Sequence, residues 1–291
     1  MFNRFRPSLV AVIALLLAAS VAPAADEPTV KDLIAQIRAA TRAGMVDEAL
    51  KLCDQAIKLD GANAQLYGMR AQIFDYQKKY GEAIADFTKA IEIKPLPELY
   101  QRRGETHFRA CKFKESVADF DKVVAADPDR EPHHWQRGIS HYYAGEYIKG
   151  TRQFELHKEV NPEDVENAIW HFLCKAKADG VEKARKALIP IRGDGRPWAM
   201  TVYNLFREQA KPADVLENAV KGETNERVRN DNLFYSHLYL ALHYDAIGSS
   251  NGALEHITIA VEKYQSAHYM GDVARVHLKV LQKKAEDAKK K

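Results

Sequence analysis

Residues 81–95 read GEAIADFTKAIEIKP, and the chain repeats this message three more times. DEALKLCDQAIKLDG stands at 47–61, KESVADFDKVVAADP at 114–128 and IKGTRQFELHKEVNP at 148–162. A small residue recurs at Ala49, Ala83, Ser116 and Gly150, in steps of 34, 33 and 34 residues. A bulkier one follows four places later, at Cys53, Phe87, Phe120 and Phe154. Residues four apart share one helix face, so each block reads as a helix with a notch and a plug on the same side. Pro95, Pro128 and Pro162 end the last three blocks, because proline cannot continue a helix, and Gly61 stands in that place in the first. Each of these three blocks follows another helical block with its own small residue, at Ala71, Gly104 and Gly138. The aromatics Tyr67, Tyr100 and Trp135 stand three or four residues before those.

Helix pairs repeating every 34 residues predict an all-α solenoid of antiparallel pairs, in which small residues permit close helix contact and bulky ones plug the gap between units. A fifth unit at 230–267 contains FYSHLYLALHYDAIGSSNGALEHITIAVEK. It carries Ala241, Tyr244, Ala253, Ile257 and Ala260 in phase with Ala71, Phe74, Ala83, Phe87 and Ala90. Residues 164–229 lose the phase but still read as helices, with Pro190 ending one and prolines opening PWAMTVYNLF and PADVLENAV. They are read as degenerate pairs continuing the stack. The segment 268–291, containing GDVARVHLKVLQKKAEDAKKK, is expected to cap the open end of the solenoid and to finish in a solvated basic tail.

The N-terminus, MFNRFRPSLVAVIALLLAASVAPAADEP, has the parts of a secretory signal peptide. Arg4 and Arg6 precede an apolar run from Ser8 to Ser20, and Ala22-Pro23-Ala24 supplies small residues for cleavage after Ala24 or Ala25. Residues 1–25 are therefore expected to be removed, leaving a periplasmic protein with no stable membrane span. No cysteine adjoins the cleavage site to carry lipid. The three cysteines, Cys53, Cys111 and Cys174, are widely spaced, so buried free thiols are expected, with one bridge plus a free thiol as the alternative.

A net charge of +3 is near balance and marks no nucleic-acid surface. No HExxH, GxSxG, SxxK or phosphate-loop pattern occurs, and Gly193-Asp194-Gly195 reads as a turn. His134 and His141 could share a helix face but lack a third ligand at suitable spacing. The expectation is a protein that is not an enzyme, with no cofactor and no metal.

The repeated blocks resemble the tetratricopeptide repeat (TPR) family. That resemblance implies that the first helix of each unit lines a concave groove. The groove positions would be Gln65, Gly68, Gln72, Asp75 and Tyr76 in the second unit, then Glu98, Gln101, Glu105, Phe108 and Arg109 in the third. In the fourth they would be Pro132, Trp135, Ile139, Tyr142 and Tyr143. Tyr76, Phe108, Arg109, Trp135, Ile139, Tyr142 and Tyr143 form the expected protein-binding strip, with packing against 164–222 as the competing reading of its aromatics. The lysines and asparagines of the carboxylate-clamp type are absent. Residues 100–175 also resemble the NlpI-type periplasmic TPR lipoproteins through Arg137-Gly138-Ile139, Tyr142-Tyr143, Gly145, Tyr147 and the Trp170 helix. This likeness implies an adaptor for cell-wall hydrolases and a processing protease, and a homodimer. The expected function is an exported scaffold binding another envelope protein or peptide. The alternative is an enzyme or ligand carrier using His171 or the Trp198–Tyr203 helix.

Overall fold

The structure is a computed structural model describing residues 27–290. The expected signal peptide lies outside the described residues. The first four helix pairs are α1 (Val30–Arg42) with α2 (Val46–Leu59), α3 (Ala64–Tyr76) with α4 (Tyr80–Ile93), α5 (Pro97–Arg109) with α6 (Phe113–Ala126), and α7 (Trp135–Tyr143) with α8 (Tyr147–Val160). Then come α9 (Val165–Asp179), α10 (Val181–Lys186), α11 (Ala199–Phe206), α12 (Pro212–Val220), α13 (Glu226–Ala246), α14 (Ser250–Ile259) and α15 (Tyr269–Lys289). No strand occurs among the described residues, and consecutive helices pack on one another as in a TPR-type solenoid.

The notches work as close contacts. A Cβ added at Gly104 would lie 2.8 Å from Phe120, one at Gly138 2.6 Å from Phe154, and one at Gly150 2.7 Å from the Cys174 sulfur. Ala49, Ala71, Ala83, Ser116, Ala241 and Ala253 are fully buried. Ser116 and Ser140 also share a hydrogen bond, 3.0 Å between hydroxyl oxygens.

The turn inside each pair repeats too. Gly44, Lys78, Cys111, Gly145 and Gly248 all have positive φ, between 58° and 84°. The next amide then reaches back over the helix end, as in Lys79 N–H to Phe74 O, 2.9 Å, and Glu146 N–H to His141 O, 2.9 Å. Glu208 (φ 62°) and the Gln209–Asn204 bond of 2.8 Å give the α11–α12 turn the same form. One of the degenerate pairs thus keeps the repeat's turn while losing its sequence.

A second periodic feature escaped the sequence reading. Arg70, Arg103 and Arg137 sit at one position in successive units and each reaches the residue sixteen later on the following helix. Arg70 donates to Asp86 at 2.7 and 2.8 Å, Arg103 to Asp119 at 2.9 and 2.7 Å, and Arg137 to Gln153 at 2.8 Å. Each guanidinium also bonds the preceding unit, at Asp54, Thr88 and Asp121 respectively. Arg70 and Arg103 grip the second helix of their own unit with bidentate geometry, and a single bond from each of the three arginines ties it to the preceding unit.

The last helix departs from expectation. α15 packs on α14, as an end cap would, but it also lies along the concave face against the third and fourth units. Its apolar residues Met270, Val273, Ala274, Val276 and Leu281 are buried. The concave face there is aromatic, and covering it with an apolar helix face removes both surfaces from water. All three cysteines are free; Cys53 and Cys174 are buried.

Candidate functional site

The concave face is divided in two. Tyr269 of α15 stacks on Phe108 with ring centroids 5.4 Å apart and meets the Trp135 ring edge-on at 5.2 Å. Arg109 is held between Asp75, 2.8 Å, and Asp272 of α15, 3.0 Å. Tyr143 donates its hydroxyl to His277 Nδ1 at 3.2 Å. Burial pushes the Tyr143 phenol well above its usual range and the His277 imidazole down to about 4, so the phenol keeps its proton and the ring keeps its lone pair. Phe108 and Ile139 are fully buried, Tyr142 nearly so, and Trp135 and Tyr143 are half-buried. Six of the seven residues expected to form an open protein-binding strip are therefore packed in the interior or engaged by α15. Tyr142 and Tyr143 also contact Trp170, which is the competing reading of these aromatics. Tyr76 alone remains open, at 79% exposure.

The other half of the face is an open groove of about 1450 Å³ across the first three units. Gln65, Gly68, Gln72 and Tyr76 line it from α3, and Glu98 and Leu99 from α5. Met69 and Ile73 supply apolar surface. Arg38 and Arg42, one turn apart on exposed positions of α1, form its edge, and neither makes an ion pair among the described residues. Sequence reasoning placed Arg38 only among the carboxylate-clamp positions and left Arg42 aside, because it sought aromatics for the binding strip; their signal was a pair of cations four apart on the first inward-facing helix.

Other candidates are dispersed. His134 bonds Gln101 at 2.9 Å while His141 bonds Glu146 at 2.8 Å, so the two do not share a ligand position. No group of three or more His, Cys, Asp or Glu side chains is arranged to hold a metal among the described residues. His171, Trp198 and Tyr203 are all buried. Tyr203 is tied down by Ile189 O, 3.1 Å, and Ile191 N–H, 3.2 Å.

The tetratricopeptide-repeat family profile matches residues 64–95, which are α3 and α4. A tetratricopeptide repeat protein from Parabacteroides merdae superposes with a TM-score of 0.57 at 15% identity, over 87% of this chain and 98% of that one. The C-terminal part of a TPR repeat-containing protein from Cytophaga hutchinsonii gives 0.50 at 13% identity, over 82% and 98%. MamA from Desulfovibrio magneticus RS-1 gives 0.50 at 16% identity, over 56% and 92%. At such identities the likeness is one of fold. One unit is matched by the family profile, the same notch, plug and turn recur in register around it, and the described residues fold as a tetratricopeptide-repeat-type solenoid.

Proposed function

We propose that this protein is an exported, non-catalytic adaptor that holds a segment of another envelope protein in the groove of its first three units. The observation that carries the proposal is the division of the concave face: α15 fills one half, and the other half is open, with exposed Tyr76 and two arginines that make no ion pair among the described residues. The seat of α15 gives the chemistry of the occupant. There an acidic side chain, Asp272, meets an arginine and an aromatic one, Tyr269, stacks on aromatic rings. By charge complementarity with Arg38 and Arg42, the segment bound next door is acidic with at least one large apolar side chain. Export rests on Arg4, Arg6, the apolar run and Ala22-Pro23-Ala24. The resemblance over 100–175 supports cell-wall-modifying enzymes or proteases as the class of partner, and a homodimer as the assembly.

The test places a photo-crosslinking residue at Gln72, inside the groove, or at Ile148, exposed outside it. A discrete adduct is expected from Gln72 only, and it should disappear when Arg38 and Arg42 are both changed to Glu. Identical adducts from both positions, or no effect of the charge reversal, would refute the groove as the binding surface.

A further inference from the structure

A second cavity, of about 460 Å³, lies outside the open groove, where α7, α9, α13 and the start of α15 meet. That volume is in the range of small-molecule sites. Its walls include five aromatic side chains, Trp135, Phe154, Trp170, Tyr235 and Tyr269, and two carboxylates, Asp164 and Glu166. Among the described residues no lysine or arginine lines it. Exposed Asn161 and His268 mark its mouth.

The charge around it is unbalanced. Asp164, Glu166 and Asp194 all pair with the single guanidinium of Arg196, which stacks over Trp198. Three carboxylates against one cation leave an excess of negative charge beside the aromatic walls. Hydrogen-bond capacity is unbalanced in the same direction. Asp164 Oδ1 accepts from Arg196 and from the Glu166 amide, but Oδ2 has no hydrogen bond among the described residues. His157 donates from Nδ1 to Pro132 O at 2.8 Å. Its Nε2 therefore carries the lone pair when the ring is neutral, and it stands 3.8 Å from Asp164 Oδ2, too far for a hydrogen bond. Asn167, 3% exposed and also on the wall, donates to Phe154 O, but its Oδ1 has no partner. The site offers a ligand two unmet acceptors, Asp164 Oδ2 and His157 Nε2, with excess negative charge and aromatic rings, while Asn167 Oδ1 is closed off from it.

We propose that this cavity binds a primary alkylammonium group, carried by a small amine or by a lysine side chain. Two of the three N–H donors of such a group match Asp164 Oδ2 and His157 Nε2, and the third is left to water at the mouth. Its charge offsets the carboxylate excess, and aromatic rings attract a cation that has left water. The alkyl stem takes the apolar wall of Ile139 and Met270. The inference stands apart from the adaptor reading, since it uses neither the open groove nor its arginines.

The test titrates the full chain with n-butylammonium chloride, N-acetyl-lysine methylamide, choline chloride and butan-1-ol. It follows heat and the emission of Trp135 and Trp170. Saturable binding of butylammonium, with butanol at least about tenfold weaker, is expected. Tighter binding of the lysine derivative than of butylammonium would assign the source to a peptide, and the reverse to a free amine. Asp164→Asn keeps a competent helix N-cap while removing the charge, and should weaken binding about tenfold with an unchanged melting temperature. Trp135→Leu should weaken it independently. The assignment falls if no ammonium saturates by about 10 mM, if butanol or choline binds as tightly as butylammonium, or if a folded Asp164→Asn variant binds as wild type does.

Discussion

Gly138→Ala puts the packing argument at risk with a single carbon. The new Cβ would lie 2.6, 2.9 and 3.0 Å from three ring carbons of Phe154, a side chain 1% exposed. A buried ring cannot swing into solvent, so α7 and α8 must separate or the ring must leave its rotamer. Overpacking of this kind costs about 1–3 kcal/mol. The same change raises helix propensity by about 1 kcal/mol, which leaves a net loss of roughly 1 kcal/mol. Gly81→Ala is the matched control, because Gly81 is helical and its added Cβ meets nothing within 4 Å. There only the propensity gain applies, so the two variants should differ by about 2 kcal/mol, or roughly 5 °C in melting temperature. Thermal melts followed by far-UV circular dichroism read the difference. A third variant, Gly138→Ala with Phe154→Leu, tests the cause: trimming the ring should make the two changes less costly together than their separate costs added. If Gly138→Ala melts at or above Gly81→Ala, the notch-and-plug account of the stack is refuted.

Phe108→Ala should cost about 3–5 kcal/mol in denaturant melts because it empties a closed site beneath α15, whereas Tyr76→Ala should leave stability unchanged and act only on partner capture. Arg109→Ala strands Asp75, removes the tie to Asp272, which keeps Arg275, and should cost about 2 kcal/mol, seen as faster proteolytic release of the C-terminal helix; a protease pattern identical to wild type would show that this ion pair does not hold α15. Acid should destabilise the whole stack: burial pushes His134, His237, His243 and His277 down to about 4 from 6.5. Their neutral form is the folded form, so their contribution is complete above about pH 6.5 and is lost as pH falls toward 4, at about 1.4 kcal/mol per pH unit for each ring. A melting temperature flat across that window would contradict it. Edman sequencing of native protein should begin at Ala25 or Asp26, and recovery of Met1 would remove the export proposal.

The repeat was legible in the sequence because its causes are local. Ala83 and Phe87 share a face one turn apart, Pro95 ends the same helix, and the next unit needs the same pattern because it meets the same neighbour. The arginine ladder was equally legible: Arg70 and Asp86, then Arg103 and Asp119, stand at one separation, and it went unread only because attention stayed on apolar residues. The destination of α15 was not legible. Arg109 meets Asp272 across 163 residues and Tyr143 meets His277 across 134. An amphipathic helix declares that it has an apolar face but not which surface will cover it. The same holds for the smaller cavity, whose walls come from Trp135, Trp170, Tyr235 and Tyr269 on four different helices. Local periodicity set the stack and the inward side of each helix. Only the closing of the chain on itself decided that the aromatic half of the concave face would be filled from within and the arginine-edged half left open, because that choice depends on which distant apolar surfaces fit together.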